Sequence, residues 1–164
     1  MRAAELAEQS RDVLDIGDIE RVHDMRVATR RLRAALEVFE PCFPKKRYRE
    51  TLREVKARAD ALGERRDRDV TIVALDGYAA VIGTAGKPGL RSLTEALKVE
   101  QIQANVALEP YVTEERIAAL GQRLDELVTE ARALVAEPAE STAEAEDGAG
   151  AAAAAAESNG GEPR

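Results

Sequence analysis

The sequence lacks the residues on which β-rich and disulfide-linked proteins depend. Its 164 residues include 3 Tyr, 2 Phe and no Trp, so the hydrophobic content of 45% rests largely on Leu, Val and Ala. Such a core is typical of packed helices, because strands favour aromatic and β-branched side chains. The single cysteine, Cys42, excludes an intrachain disulfide and makes the cytoplasm the expected compartment.

Long apolar runs and catalytic groupings are also absent from the sequence. No segment approaches the roughly 18 apolar residues that a membrane-spanning helix needs, and the charged N-terminal residues lack the apolar stretch of a secretory signal. One histidine and one cysteine provide neither a metal-ligand cluster nor a nucleophile–base pair, and there is no glycine-rich phosphate loop. We therefore expect no membrane association, no enzymatic activity, and no metal ion or cofactor.

The apolar periodicity predicts an all-α protein, an antiparallel helical bundle. Asp18 is the expected N-cap of the second helix, while Pro41 and Gly63 are the expected stops of the second and third. Pro110 either kinks the chain or separates two helices. Helices are expected over about residues 3–14, 19–40, 45–62, 66–82, 90–108 and 114–136.

The composition changes at Glu137. From there the sequence is acidic and rich in alanine and glycine, without helical periodicity. Such a segment has too few large apolar side chains to pack. We therefore expect residues 1–136 to form the helical domain and residues 137–164 to form a disordered acidic tail.

The net charge of −7 is unevenly distributed along the chain. Residues 21–68 hold 15 Lys and Arg against 8 Asp and Glu, a net of +7, whereas the remainder holds 9 against 23, a net of −14. Salt screens exposed charges beyond about 8 Å at physiological ionic strength. A basic surface can therefore attract an anion although the whole chain is acidic.

The helix expected over residues 19–40 has a basic stripe opposite its apolar face. No acid is interleaved in this stripe, although Glu37 lies one turn beyond it, and Arg31 lies outside it. Unpaired arginines on one face repel each other, but their guanidinium groups can bind successive phosphates through paired hydrogen bonds. The stripe consists of four side chains that fall within about 80° of one another: His23, Arg26, Arg30 and Arg33.

The next helix repeats this design with Lys45, Arg49, Arg53 and Lys56 beside its apolar face. A further cluster, Arg65, Arg66 and Arg68, is expected at a helix start, where free amides also favour anions. A single basic helix face is commonly only solvated. Two such faces on consecutive antiparallel helices favour a polyanion-binding surface.

Two sequence strings resemble the CHAD domain, the conserved histidine α-helical domain. They are VHDMRVATRRLRAAL and LGERRDRDV, in this order and about 30 residues apart, and the resemblance covers roughly residues 18–75. It implies an all-helical fold whose basic residues line a groove or pore that binds inorganic polyphosphate, and an association with polyphosphate granules. The residues it points to are His23, Arg26, Arg30, Arg31, Arg33 and Arg66, with Lys45, Arg49, Arg53 and Lys56 matching in type and face.

The second string also contains Asp67 and Asp69, which invite an acid–base or metal interpretation. At positions i and i+2 of a helix they point about 200° apart, so they do not form a paired site. A structural role is expected instead, with Asp67 capping the helix or pairing with an arginine.

The resemblance extends to about half of a typical CHAD domain, which has two four-helix halves around its pore. We expect this N-terminal half either to form a homodimer that rebuilds the pore or to be a truncated version. The alternative function is a protein-interaction module whose basic face docks an acidic partner, or its own acidic tail. A phosphate-metabolising enzyme is disfavoured because the Glu-x-Glu-x-Lys string of triphosphate tunnel metalloenzymes is absent. Nucleic acid is disfavoured by the shortage of aromatic residues.

Overall fold

The computed structural model describes residues 2–136, which form helices joined by short turns, with no strand in that range. The all-α prediction is confirmed. The acidic tail predicted for residues 137–164 lies outside the described residues. The helices are α1 (Arg2–Gln9), α2 (Ile19–Val38), α3 (Lys45–Ala79), α4 (Lys87–Val112) and α5 (Glu114–Ala136), with 3₁₀ turns at Glu40–Cys42 and Thr84–Gly86.

Helix α3 corrects the predicted break at Gly63. It runs without interruption for 35 residues, and Gly63 lies inside it. A glycine costs a helix interior about 1 kcal/mol relative to alanine. Burial on both sides of this position outweighs that cost, because Leu62 and Arg65 have no exposed surface. The cluster of Arg65, Arg66 and Arg68 therefore lies in the middle of a helix, and its predicted place at a helix start is wrong.

Local capping sets the ends of the other helices. Asp18 is the N-cap of α2, as predicted, and its Oδ1 accepts a hydrogen bond from the Glu20 amide at 3.2 Å. Pro41 does not end α2 directly, because the helix stops at Val38 and Pro41 lies in the 3₁₀ turn. Pro110 lies within α4, and α5 starts as a separate helix after Thr113, whose hydroxyl accepts from the Arg116 amide at 3.3 Å.

The core lies between α1, α2, α5, the first half of α3 and the C-terminal end of α4. Leu6, Met25, Leu62, Leu120 and Leu127 have at most 1% of their surface exposed and belong to one apolar cluster. Helices α2 and α3 form an antiparallel hairpin, while α1 packs on α2 and α5. Burying a side chain of this size contributes roughly 1.5–3 kcal/mol.

The second half of α3 packs on α4 and extends past the first turn of α2, which lies beside Arg66. This two-helix extension leaves several apolar side chains at least half exposed: Val70, Val73, Val99, Ile102 and Val106. Within residues 2–136, none of the helices combines the length and the apolar character required to cross a lipid bilayer.

Candidate functional site: basic residues on two adjacent helices

Contacts at two levels fix α2 against α3. Arg66 of α3 donates from Nη1 to the carbonyl oxygen of Ile19 at 2.9 Å. Further along the hairpin, Glu37 of α2 accepts from Arg33 Nε at 2.9 Å and lies 3.9 Å from Lys56 Nζ of α3. Arg33 and Lys56 therefore lie beside the same carboxylate, on the same side of the hairpin.

The other predicted basic residues of α3 follow from this position by helical periodicity. Lys45, Arg49 and Arg53 precede Lys56 by eleven, seven and three residues, which places all four along one side of α3. The structure therefore brings the two basic stripes together at Arg33 and Lys56, on either side of Glu37. We use the name α2–α3 groove for the candidate binding surface and define it by His23, Arg26, Arg30, Arg33, Lys45, Arg49, Arg53, Lys56 and Arg66.

One end of the groove contains a shallow pocket of about 430 Å³. Half-buried His23 and exposed Arg26 line it from α2, opposite Arg66 and Asp67 of α3. The pocket thus places one imidazole and two guanidinium groups around a space that also faces one carboxylate.

Most cations of the groove are unpaired. Arg26, Arg30, Lys45, Arg49 and Arg53 are exposed, and none of them makes an ion pair or side-chain hydrogen bond to another residue in the range 2–136. Like charges three or four residues apart on a helix destabilise it by a few tenths of a kcal/mol per pair. A bound polyanion would remove that repulsion.

Arg31 does not join this surface. Its guanidinium donates to the Glu5 carboxylate of α1 at 3.1 Å, on the part of α2 that α1 covers. The resemblance to the CHAD domain includes Arg31 among the binding residues, whereas its angular position on α2 places it outside the basic stripe. The contact with α1 agrees with the angular position.

The three arginines of the ERRDRD segment point in different directions. Arg65 is fully buried and pairs with Asp69, whose Oδ1 also accepts from Gln101 Nε2 of α4 at 2.6 Å. Arg68 lies 3.5 Å from Glu100 of α4. Burial lowers the pKa of the Arg65 guanidinium, and the adjacent charge of Arg66 lowers it further. Of the three, Arg66 is the one that lies at the groove.

The structural role expected of Asp67 belongs to Asp69. Asp67 is exposed and lies within a continuous helix, so it caps nothing, whereas Asp69 holds Arg65 and Gln101 in the interior. The i, i+4 spacing of Arg65 and Asp69 is the sequence signal that could have revealed this pair.

The comparison with protein families identifies residues 2–161 as a match to the CHAD domain. The chain belongs to the CHAD domain family. This family is associated in general with polyphosphate binding. The match extends beyond residues 18–75, where the two resembling strings lie, and covers nearly the whole chain. No curated protein and no solved structure matches the chain.

The sequence analysis did not predict a second buried arginine of this CHAD domain. Arg58 has no exposed surface, donates from Nε to the Tyr111 carbonyl oxygen at 2.8 Å, and lies 3.6 Å from Glu54. Glu54 also pairs with Arg123 of α5 at 2.9 Å. Burial lowers the pKa of the Arg58 guanidinium, which the Glu54 carboxylate opposes. The spacing of Val55, Arg58 and Leu62 already places this arginine on the apolar face of α3.

The carboxylates of this CHAD domain do not gather into a metal-binding arrangement in the described range. Within residues 2–136 no three His, Cys, Asp or Glu side chains lie close enough together to hold an ion. The residues that define the α2–α3 groove supply cations and hydrogen-bond donors.

Proposed function

We propose that this CHAD domain binds inorganic polyphosphate without chemical turnover, along the α2–α3 groove. One observation carries the proposal: the adjacent helices α2 and α3 each have a row of exposed cations that make no ion pair within residues 2–136. Arg26 and Arg30 form the free part of the row on α2, and Lys45, Arg49 and Arg53 form the row on α3.

The chemistry of a phosphate chain suits this arrangement. Basic side chains three or four residues apart on a helix are about 5–6 Å apart, so a flexible chain can present successive phosphates to them. A guanidinium binds a phosphate through two parallel hydrogen bonds, and lysine adds a point charge. Glu37 neutralises part of the charge of Arg33 and Lys56, so these two residues contribute less than Arg30 or Arg49.

The proposal is for binding alone because the groove offers cations without a nucleophile–base pair. His23 has two arginines for neighbours in the pocket, and Asp67 lies on the opposite helix. Cytoplasmic location and association with polyphosphate granules belong to the same proposal.

A homodimer is the second part of the proposal. The groove is open on its solvent side, and a second copy could close it around the anion. The exposed apolar residues of the α3–α4 extension, such as Val99 and Ile102, supply surface that such an assembly would bury.

Calorimetric titration of the purified chain tests the binding proposal. Polyphosphate is expected to bind and RNA is expected to compete weakly. Titration with polyglutamate tests the alternative, an acidic protein partner. Binding of polyglutamate without binding of polyphosphate would replace the proposal by that alternative.

A further inference from the structure

Helix α5 brings the end of the described chain toward the start of α3. Its Arg123 pairs with Glu54 of α3, and further on Glu126 and Glu130 both pair with Arg47, at 3.1 and 3.0 Å. The helix therefore runs toward the start of α3. Ala136 lies six residues past Glu130, about 9 Å further along the axis at 1.5 Å per residue.

The start of α3 is also where the groove begins. Lys45 and Arg49 flank Arg47 in sequence, are exposed, and have no acidic partner in the described range. The chain therefore leaves α5 at the end of the bundle that carries two unpaired cations of the groove.

The sequence that follows Ala136 has the opposite charge. Residues 137–164 hold seven acids and one arginine, a net of −6, so this segment accounts for nearly all of the chain's net charge of −7. The acids are densest over eight residues, which include Glu140, Glu144, Glu146 and Asp147. The groove and this segment are therefore complementary in charge.

We propose that residues 137–164 dock on the α2–α3 groove of the same molecule, as an internal polyanion. In this arrangement the carboxylates neutralise Lys45, Arg49 and their neighbours when no external polyanion is present. The docking needs only the groove and the acidic segment. Its consequence, competition with polyphosphate, rests on the proposed function.

The segment is long enough to reach. A chain spans at most about 3.3–3.6 Å per residue, so Glu140 to Asp147 can extend from about 13 to about 40 Å beyond Ala136. A helix with its side chains is about 10–12 Å across. The path from α5 around the start of α3 to the groove is one or two helix diameters long, about 10–24 Å. This distance is within the reach of residues 140–147.

Attachment to the same chain makes a weak interaction sufficient. A short tether gives an effective concentration in the millimolar range, and sequence-independent binding of a polyanion has a Kd of about 10⁻⁴ M at the weak end. The effective concentration is thus about ten times this Kd, so the tethered segment would occupy the groove most of the time. An external polyanion would then bind with an affinity reduced about tenfold.

The docking can be tested without any ligand, because the chain carries one reporter position. Cys42, the single cysteine, is exposed in the turn between α2 and α3. A nitroxide on Cys42 of the full chain should broaden the amide signals of residues 140–147 at low salt. High salt, and the double variant Lys45→Gln with Arg49→Gln, should both restore them. Broadening that neither change reduces, or no broadening at low salt, would overturn the inference.

Competition is tested with a charge-matched pair of variants. One neutralises the segment through Glu140→Gln, Glu144→Gln, Glu146→Gln and Asp147→Asn. The control neutralises four exposed acids of α4 and α5 through Glu95→Gln, Glu109→Gln, Glu115→Gln and Asp125→Asn. Both change the net charge by the same amount.

The first variant should bind polyphosphate about tenfold more tightly than the control, as a tethered competitor requires. Equal affinities would contradict the inference even if both variants bind. If neither variant binds polyphosphate while the spin label reports docking, the proposed function fails and the docking stands.

Discussion

Arg66 of α3 holds the first turn of α2 through the carbonyl oxygen of Ile19, with 2.9 Å between Nη1 and oxygen. The two residues are 47 positions apart, and their contact sets His23 and Arg26 beside Arg66 in the pocket. A residue at the candidate binding surface thus also fixes the geometry of that surface.

Arg66→Ala should lower the free energy of unfolding by about 1.5–3 kcal/mol, the contribution of a charged hydrogen bond. The control is Arg68→Ala, which removes a more exposed ion pair with Glu100 and an exposed hydrogen bond to the Glu64 carbonyl of the same helix, and which should cost less than about 1 kcal/mol. Urea denaturation measures both. Equal losses in the two variants would mean that the Ile19 contact adds nothing to stability.

The adjacent acids Asp67 and Asp69 should differ sharply in their contribution to stability. Asp69→Ala leaves the buried Arg65 without its carboxylate, which should cost about 3–5 kcal/mol. Asp67→Ala changes an exposed side chain and should stay within about 0.5 kcal/mol. Chemical denaturation compares the two, and a stable Asp69→Ala protein would contradict the structural role of this pair.

The triple change of Arg26, Arg30 and Arg33 to alanine should abolish polyphosphate binding while the protein stays folded. These side chains lie opposite the apolar face of α2, so the core is unaffected. The matched control removes three exposed arginines elsewhere, through Arg91→Ala, Arg116→Ala and Arg132→Ala. Calorimetry measures binding and circular dichroism measures helicity. Loss of helicity in the triple variant would show that these arginines are structural.

Binding should weaken steeply with salt. For about six neutralised phosphates, and with polyphosphate treated as a single-stranded polyanion, log K should fall against log salt with a slope of about −4. Calorimetric titrations at salt concentrations from about 50 to about 200 mM measure this slope. A slope near zero would indicate a docked protein partner or a small enclosed ligand.

Polyphosphate should shift the chain from monomer toward dimer, and high salt should reverse the shift. Two facing basic grooves repel until an anion lies between them, and a ligand that binds the assembled form favours it by mass action. Burial of Val99, Ile102 and Val106 would add about 25 cal/mol per Å² of apolar area. Sedimentation velocity with and without polyphosphate measures the proportions of monomer and dimer. A protein that stays monomeric at saturating polyphosphate would show that one copy binds through an open groove.

Local patterns were sufficient for much of this structure. The helical periodicity predicted an all-α bundle, Asp18 predicted the start of α2, and the angular positions of Arg26, Arg30 and Arg33 predicted which side of α2 is basic. Each of these depends on residues within a few turns of one another, and the sequence contains that information directly.

Tertiary structure decided the features that depend on distant partners. Gly63 lies inside a helix because Leu62 and Arg65 are buried by other helices. Gln101 of α4 completes the polar pair at Asp69, 32 residues away in the sequence.

The availability of each arginine for a ligand was decided in the same way. Glu5, on a different helix, takes up Arg31, and Glu37 takes up Arg33 and Lys56. The sequence therefore determined that α2 and α3 carry basic faces. The i, i+4 spacing within α2 already indicates the Arg33–Glu37 pair. Only the packing of the helices decided that Arg31 and Lys56 also lie beside carboxylates, because an ion pair between helices depends on a separation in space that local spacing does not encode.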